Sequence, residues 1–165
     1  MMSTANPSPI DFSKVVPTPA MKGDDDEDSS LLREMLLEAE RYLNKLKWCA
    51  RINESYFGIG IGGIVAVFLF RITPCHNGVD DFVWVIVGDI PPLYITVDNA
   101  PNPACALDAY LGAMSEWAEA AISGKSISAL PPVYADPTPE NGRKLKGRLE
   151  FIDKELLSPY RSDLS

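Results

Sequence analysis

Three aspartates and two asparagines in the second half of the chain are the first candidates for chemistry. Asp89, Asp98 and Asp108 carry carboxylates, and Asn99 and Asn102 lie between the last two. Two carboxylates beside one cleft could bind a metal or transfer protons. Their spacing matches no metal-binding loop, and short polar side chains also serve turns and helix caps. We therefore favour a structural role for this cluster and predict no metal site.

Cysteine and histidine offer a second chemistry, nucleophilic catalysis. Cys75 and His76 are adjacent, and neighbours in an extended turn usually point apart, which argues against a thiol–imidazole pair. Cys105 falls in the first turn of a predicted helix, where the positive end of the helix dipole could lower the pKa of its thiol. The sequence identifies no base for this thiol. A buried structural cysteine is therefore the favoured interpretation, and catalysis by Cys105 is the alternative.

The segment GIGIGG at residues 58–63 formally satisfies GxGxxG, the dinucleotide-binding fingerprint. Its context differs, because a predicted helix precedes it and the β-branched run IVAVFLF follows it, so no helix N-terminus is available for a pyrophosphate. Alternation instead places Gly58, Gly60 and Gly62 on one face of a strand, and a bare face lets a helix approach closely. We predict helix packing here and no cofactor. A shallow ligand groove is the alternative.

Aromatic residues and prolines that share a surface would form the rigid kind of patch that protein interfaces favour. Trp84, Tyr94 and Tyr134 are candidates for such a patch, whereas Trp117 belongs to a helical stripe and is expected in the core. A proline corner precedes Tyr94 and a polar loop follows it. The predicted binding residues are those of the corner, the strand and the loop: Asp89, Pro91, Pro92, Tyr94, Asp98, Asn99 and Asn102.

Three helices that would position these residues are predicted from apolar residues at three- and four-residue spacing. The first begins at residue 29 or 30 and ends near Asn53. The second begins with Asn102 as cap and Pro103 in the first turn, where a missing N–H costs nothing. Thr138 and the proline after it repeat this signal at the start of the third helix.

Three strands are predicted between the first two helices. Residues 56–73 are dense in β-branched and aromatic side chains and form the longest strand. A turn signal at Asn77-Gly78 precedes the strand at 82–88, and a proline corner precedes the strand at 93–97. Because parallel neighbours need a crossover of roughly a dozen residues, these strands must pair antiparallel. The predicted fold is α+β, a three-stranded antiparallel meander packed by three helices in the order α-β-β-β-α-α.

One domain is the expected organisation for a chain of 165 residues with 46% apolar composition. Residues 1–28 are rich in Pro, Ser and acids and poor in branched apolar residues, so we predict a disordered tail. The domain then covers 29–158, and 159–165 form a C-terminal tail. The acidic run at 24–28 is interpreted as a solubilising spacer, with a docking tag for a basic partner as the alternative.

The charge and the cysteines limit the class of protein. The net charge is −8, of which residues 1–28 carry −4. This mild acidity argues against nucleic acid as a partner, because phosphates need clustered Lys or Arg. It leaves room for a basic protein partner. Three widely spaced cysteines without CxxC suggest neither a disulfide framework nor a zinc knuckle, and reduced thiols fit a cytoplasmic protein.

A targeting or membrane segment is not expected. The N-terminus shows no charged region followed by an apolar stretch, so no signal peptide is predicted. Residues 55–70 are uncharged, but this run is shorter than the roughly 20 residues of a membrane-spanning helix and contains four glycines. We predict a buried strand there.

The motifs VGDxPPxYI, DNAPNPxxALDAY and a following tryptophan, within residues 84–120, resemble those of a group of small uncharacterised bacterial proteins. The segment YFGIGIGG adds to the resemblance, which covers residues 48–157. The resemblance implies a bacterial cytosolic origin and brings no activity or site residue with it.

Two functions follow as hypotheses. The first is a non-enzymatic protein-binding module, of an immunity or adaptor type that masks a partner, because no complete catalytic constellation is recognisable in a small, mildly acidic domain. The alternative is a small enzyme or ligand-binding protein with a pocket over the glycine-rich strand. Its polar groups would be Asp98, Asp108 and Cys105.

Overall fold

Five antiparallel strands form one sheet in the sequential order β1-β2-β3-β4-β5. The computed structural model describes residues 10–76 and 81–164. The strands are β1 Val16–Pro17, β2 Cys49–Ile61, β3 Val65–Pro74, β4 Phe82–Gly88 and β5 Leu93–Thr96. The helices are α1 Asp26–Asn44, α2 Pro103–Ser123 and α3 Pro139–Ile152. Short 3-10 helices at Phe12–Lys14 and Thr18–Ala20 flank β1, and a π-helical turn at Asp153–Leu157 and a 3-10 segment at Ser158–Leu164 follow α3.

The predicted three-stranded meander is wrong, although the α+β mixture is confirmed. Residues 56–73 are not one strand, because the chain reverses between β2 and β3 and the two strands pair antiparallel. The reversal is tight: the N–H of Ile64 donates to the carbonyl of Ile61 at 2.9 Å, and Gly63 has a φ of +79°. Only glycine adopts that conformation without strain. The other added strand, β1, pairs with β2 from a segment expected to be disordered.

The first helix begins earlier and ends earlier than predicted. Asp25 caps it, since its side chain accepts a hydrogen bond from the N–H of Asp28 at 2.8 Å. The helix ends at Asn44, and Cys49 is already paired with Pro74 in the sheet. Residues 49–53 are therefore part of the sheet, because hydrogen bonding to β3 outweighs the helical spacing of their apolar side chains.

Each face of the sheet packs against helices, so the domain has three layers. Alternate residues of β3 and β4, such as Val67 and Trp84, face α2 and α3. The residues between them, such as Phe68 and Val85, face α1. Burying a large apolar side chain contributes about 1.5–3 kcal/mol, and residues 65–70 and 83–87 are buried on both faces of the sheet, as their continuous apolarity predicts.

The starts of α2 and α3, on the face of the sheet opposite α1, are as predicted. The side chain of Asn102 accepts a hydrogen bond from the N–H of Cys105 at 2.8 Å, with Pro103 in the first turn. The hydroxyl of Thr138 accepts from the N–H of Asn141 at 3.1 Å. Local capping chemistry alone is sufficient to place these two ends.

The chain on either side of the predicted domain contacts it closely. Ile10, Val15 and Met21 are buried, and the N–H of Asp11 donates to the carbonyl of Pro101 at 2.7 Å. These contacts lie within the range 1–28 that we expected to be a disordered tail; residues 1–9 and the predicted Asn77-Gly78 turn lie outside the described residues. Within 10–76 and 81–164, no helix combines the length and apolarity needed to cross a bilayer.

Candidate functional site

The predicted binding residues lie at two ends of the edge strand β5. Asp89, Pro91 and Pro92 precede the strand, Tyr94 lies on it, and the polar loop at 98–102 follows it. A strand of four residues spans about 13 Å, so the corner and the loop are separate. Tyr94 therefore lies between the two groups of candidate residues.

The corner before β5 is held in place by two hydrogen bonds, with an exposed ion pair beside them. The N–H of Asp89 donates to the carbonyl of Ile64 at 3.0 Å, and its carboxylate lies 3.4 Å from the guanidinium of Arg148. The hydroxyl of Tyr110 donates to the carbonyl of Pro91 at 2.6 Å. Burial raises the pKa of Tyr110, so this hydroxyl keeps its proton over the whole ordinary pH range. The corner is rigid as a result.

In the loop after β5, only some of the predicted residues face solvent. Asp98 and Asn99 are exposed, whereas Asn102 is 8% exposed. Besides capping α2, the side-chain amide of Asn102 donates to the carbonyl of Asp163 at 2.9 Å. The polar atoms of Asn102 therefore serve the fold and the attachment of the C-terminal segment.

Tyr94 is exposed, as the predicted aromatic patch requires, but Trp84 is fully buried and is not part of that surface. The ring of Tyr94 packs edge-on against Trp48, with centroids 4.9 Å apart, and the Tyr94 side chain is 37% exposed. The hydroxyl of Tyr42, on α1, lies beside the backbone N–H of Tyr94. Burial is the main cause that raises the pKa of Tyr42 to about 12; the backbone of Tyr94 acts in the opposite direction, and the Tyr94 and Tyr134 side chains add to the rise. Tyr134 is 91% exposed. We define the aromatic patch as Tyr42, Trp48 and Tyr94.

The patch borders an edge of the sheet that remains unpaired. β5 is the last strand in the order, and pairs only with β4. Among residues 10–76 and 81–164, no backbone hydrogen bond joins the outer edge of β5 to another segment. Unpaired strand edges are templates for added strands. The side chain of Tyr42 partly covers this edge, because its hydroxyl lies beside the backbone N–H of Tyr94.

The glycine-rich strand serves helix packing, as predicted, but its glycines do not share one face. A bulge between Phe57 and Ile59 changes the alternation. A Cβ on Gly58 would lie 2.5 Å from the ring of Pro103 at the start of α2. One on Gly62 would lie 2.9 Å from the Cβ of Leu31 on α1. Close helix approach from both sides therefore requires glycine at these two positions.

The alternative hypothesis of a ligand pocket over this strand needs Asp98, Asp108 and Cys105 to lie together there. The structure does not bring them together. The depression that touches Gly58 is about 320 Å³ in volume and is lined on its polar side by Lys14 and Lys22. Asp108 instead lines a groove between α2 and α3. Cys105 lies with its Sγ 3.3 Å from the carbonyl oxygen of Asp163.

The electrostatics of Cys105 differ from the prediction. Burial raises the pKa of its thiol, although the hydrogen bond with Asn102 acts in the opposite direction. The net direction is therefore the opposite of the one that a helix dipole alone would give. Among the described residues, no three His, Cys, Asp or Glu side chains are arranged to hold a metal ion.

The acidic run at 24–28 has a structural role that neither sequence interpretation anticipated. Asp25 caps α1, and the carboxylate of Asp28 accepts hydrogen bonds from the N–H of Asp24 at 2.8 Å and of Gly62 at 2.6 Å. Asp26 and Glu27 complete an acidic first turn. Negative charge at a helix N-terminus is favourable, so the run stabilises α1.

A slot beside α3 is a further surface that the sequence reasoning missed. Its helix side carries Lys144, Gly147, Arg148 and Phe151, and its volume is about 370 Å³. Ile64, Ile90 and Asp89 form the opposite side, with Ile152 at the base. The four basic residues within RKLKGR, at 143–148, were a sequence signal for it. We call this surface the α3 slot.

No protein-family model, no curated protein and no solved structure matches this chain. We therefore infer function from the surfaces described above. The aromatic patch and the α3 slot both carry exposed apolar side chains on or beside regular secondary structure.

Proposed function

We propose that this chain is a non-enzymatic protein-binding module, of an immunity or adaptor type that masks a partner protein. The partner contacts the aromatic patch and the two ends of β5. The observation that carries this proposal is the exposed ring of Tyr94, held against Trp48 on an unpaired edge strand.

Tyr94 has the properties of an interface anchor. Tyrosine is enriched among the residues that dominate binding energy, because it offers a large apolar surface and a polar tip. The contact with Trp48 fixes the ring before any partner arrives. Little side-chain entropy is then lost on binding.

The corner and the loop supply charge at either end of the anchor. Asp98 is an exposed carboxylate after Tyr94, and Asp89, on the other side, is exposed and pairs with Arg148, in a chain of net charge −8. Complementary charge speeds encounter and fixes orientation more than it adds affinity. The proposal therefore favours a basic partner in the cytoplasm.

Affinity purification from the native host tests the proposal. The tagged chain should recover a discrete protein, and Tyr94→Ala together with Asp89→Ala and Asp98→Ala should reduce its recovery about tenfold or more. Tyr160→Ala is the matched control, since Tyr160 is 38% exposed but lies in the C-terminal segment. Unchanged recovery with the triple variant would refute the assignment to this surface.

A further inference from the structure

The α3 slot is built by one solvent-facing stripe of the helix. Lys144, Gly147, Arg148 and Phe151 follow one another at intervals of three, one and three residues, which places them on one face. The buried stripe of α3 is a different set, Leu145, Leu149 and Ile152 near the slot base. Phe151 is 46% exposed although it adjoins two isoleucines. The slot is thus apolar inside and open to solvent.

Gly147 keeps the slot open at a cost to the helix. It lies inside α3, where glycine is about 1 kcal/mol less favourable than alanine. A Cβ at this position would meet nothing within 4 Å. Packing in the structure therefore does not require glycine here, in contrast to Gly58. What glycine does provide is room for an incoming group to reach the backbone of the helix.

The rim of the slot is basic on its helix side. Lys144 and Arg148 line it, and Lys144 pairs with Glu140 at 3.4 Å on the same helix, with both side chains exposed. Arg148 pairs with Asp89 at 3.4 Å across the slot, and both side chains are more than half exposed. Exposed ion pairs of this kind contribute little, so carboxylates from outside can replace Glu140 and Asp89.

From the slot and its rim we infer that α3 binds an acidic peptide segment whose apolar side chain enters the slot while neighbouring carboxylates pair with Lys144 and Arg148. This inference rests on the proposed function in one respect, that the occupant is a protein. It adds a second binding surface and states the chemistry of the segment that binds there. It is independent of Tyr94.

Fluorescence anisotropy with labelled peptides tests the inference on the full-length chain. One series carries a single leucine, isoleucine, phenylalanine or tryptophan between aspartates and glutamates, and a second series carries lysines and arginines instead. We expect binding from the acidic series alone. Gly147→Leu should weaken it about tenfold or more, because the new side chain fills the slot. Arg148→Gln should weaken it and reduce its dependence on salt.

Gly112→Leu is the matched control, since Gly112 lies inside α2 with nothing within 4 Å of a Cβ, outside the slot. Both leucine variants should keep the native circular dichroism spectrum, so lost binding cannot be attributed to unfolding. Absence of binding by every acidic peptide, or equal effects of the two leucine variants, would overturn the inference. Binding of decanoate without binding of peptides would also overturn it, by indicating a fatty-acid site.

Failure of this inference is distinguishable from failure of the proposed function. Tyr94→Ala should leave peptide binding at the slot unchanged while reducing partner recovery. If Tyr94→Ala abolishes recovery and no acidic peptide binds, only the slot inference is wrong.

Discussion

The carboxylate of Asp28 accepts a hydrogen bond of 2.6 Å from the backbone N–H of Gly62. This contact joins the first turn of α1 to the reversal between β2 and β3. It is possible because Gly62 has no side chain: a Cβ there would lie 2.5 Å from the same carboxylate oxygen. The acidic run and the glycine-rich segment are therefore parts of one junction.

Replacing Asp28 by alanine should destabilise the domain by about 1.5–3 kcal/mol, since a hydrogen bond to a charged group is lost and the N–H of Gly62 loses its partner. Urea unfolding measures the change. Asp26→Ala is the control, because Asp26 lies in the same helical turn and shares only the effect of charge on the helix. Equal losses of stability for the two variants would show that the Gly62 contact contributes nothing.

Gly58→Ala should destabilise by about 1–3 kcal/mol, because the added methyl overlaps the ring of Pro103 and forces α2 away from β2. Gly112→Ala, in an open position of α2, should instead stabilise by about 0.5–1 kcal/mol through helix propensity. Thermal unfolding should show a lower melting temperature for Gly58→Ala and a higher one for Gly112→Ala. A stabilising Gly58→Ala would mean that the helix does not approach this strand as closely as described.

Tyr110→Phe should destabilise by about 1–3 kcal/mol, because it leaves the carbonyl of Pro91 without its hydrogen bond. Denaturant unfolding measures the loss, with Tyr160→Phe as an exposed control of the same chemistry. The corner should also become mobile, so hydrogen exchange near Asp89 should accelerate. Unchanged stability and exchange in Tyr110→Phe would contradict the rigid corner.

Stability should fall between pH 10 and pH 12 in part through Tyr42, whose pKa burial raises from 10.0 to about 12. The unfolded chain releases this proton near pH 10 and the folded chain does not, so the stabilisation is complete below pH 10 and is lost as the pH rises toward 12. Tyr42→Phe should therefore show a shallower decline over this range, measured by urea unfolding at several pH values. An identical slope in the variant would place Tyr42 in solvent.

Local chemistry explains what the sequence could predict. Asn102 and Thr138 cap helices through contacts within three residues of themselves, so their positions can be derived without tertiary structure. The alternation of Trp84 and Val85 between the two faces of the sheet is equally local. The packing of helices against Gly58 and Gly62 also follows from the absence of side chains there.

Tertiary contacts decide the rest. The reversal at Gly63 lies inside one continuous apolar run, so hydrophobic periodicity does not show where β2 ends. β1 is two residues long and includes Pro17, too little for a strand signal. Tyr42 occupies a helical stripe that indicates core, and only the packing of α1 on β4, the neighbour of β5, brings it to the aromatic patch. The α3 slot depends on Ile64 and Ile90, which are distant from α3 in sequence.

Site-specific photocrosslinking at position 94 tests the central claim most directly. With benzoylphenylalanine in place of Tyr94, illumination of the native host should give one dominant adduct with a second protein. The same probe in place of Tyr160, which has nearly equal exposure, should not give it. A specific adduct at 94 alone is the result we predict; no adduct at 94, or the same adducts at both positions, would contradict a binding surface at β5.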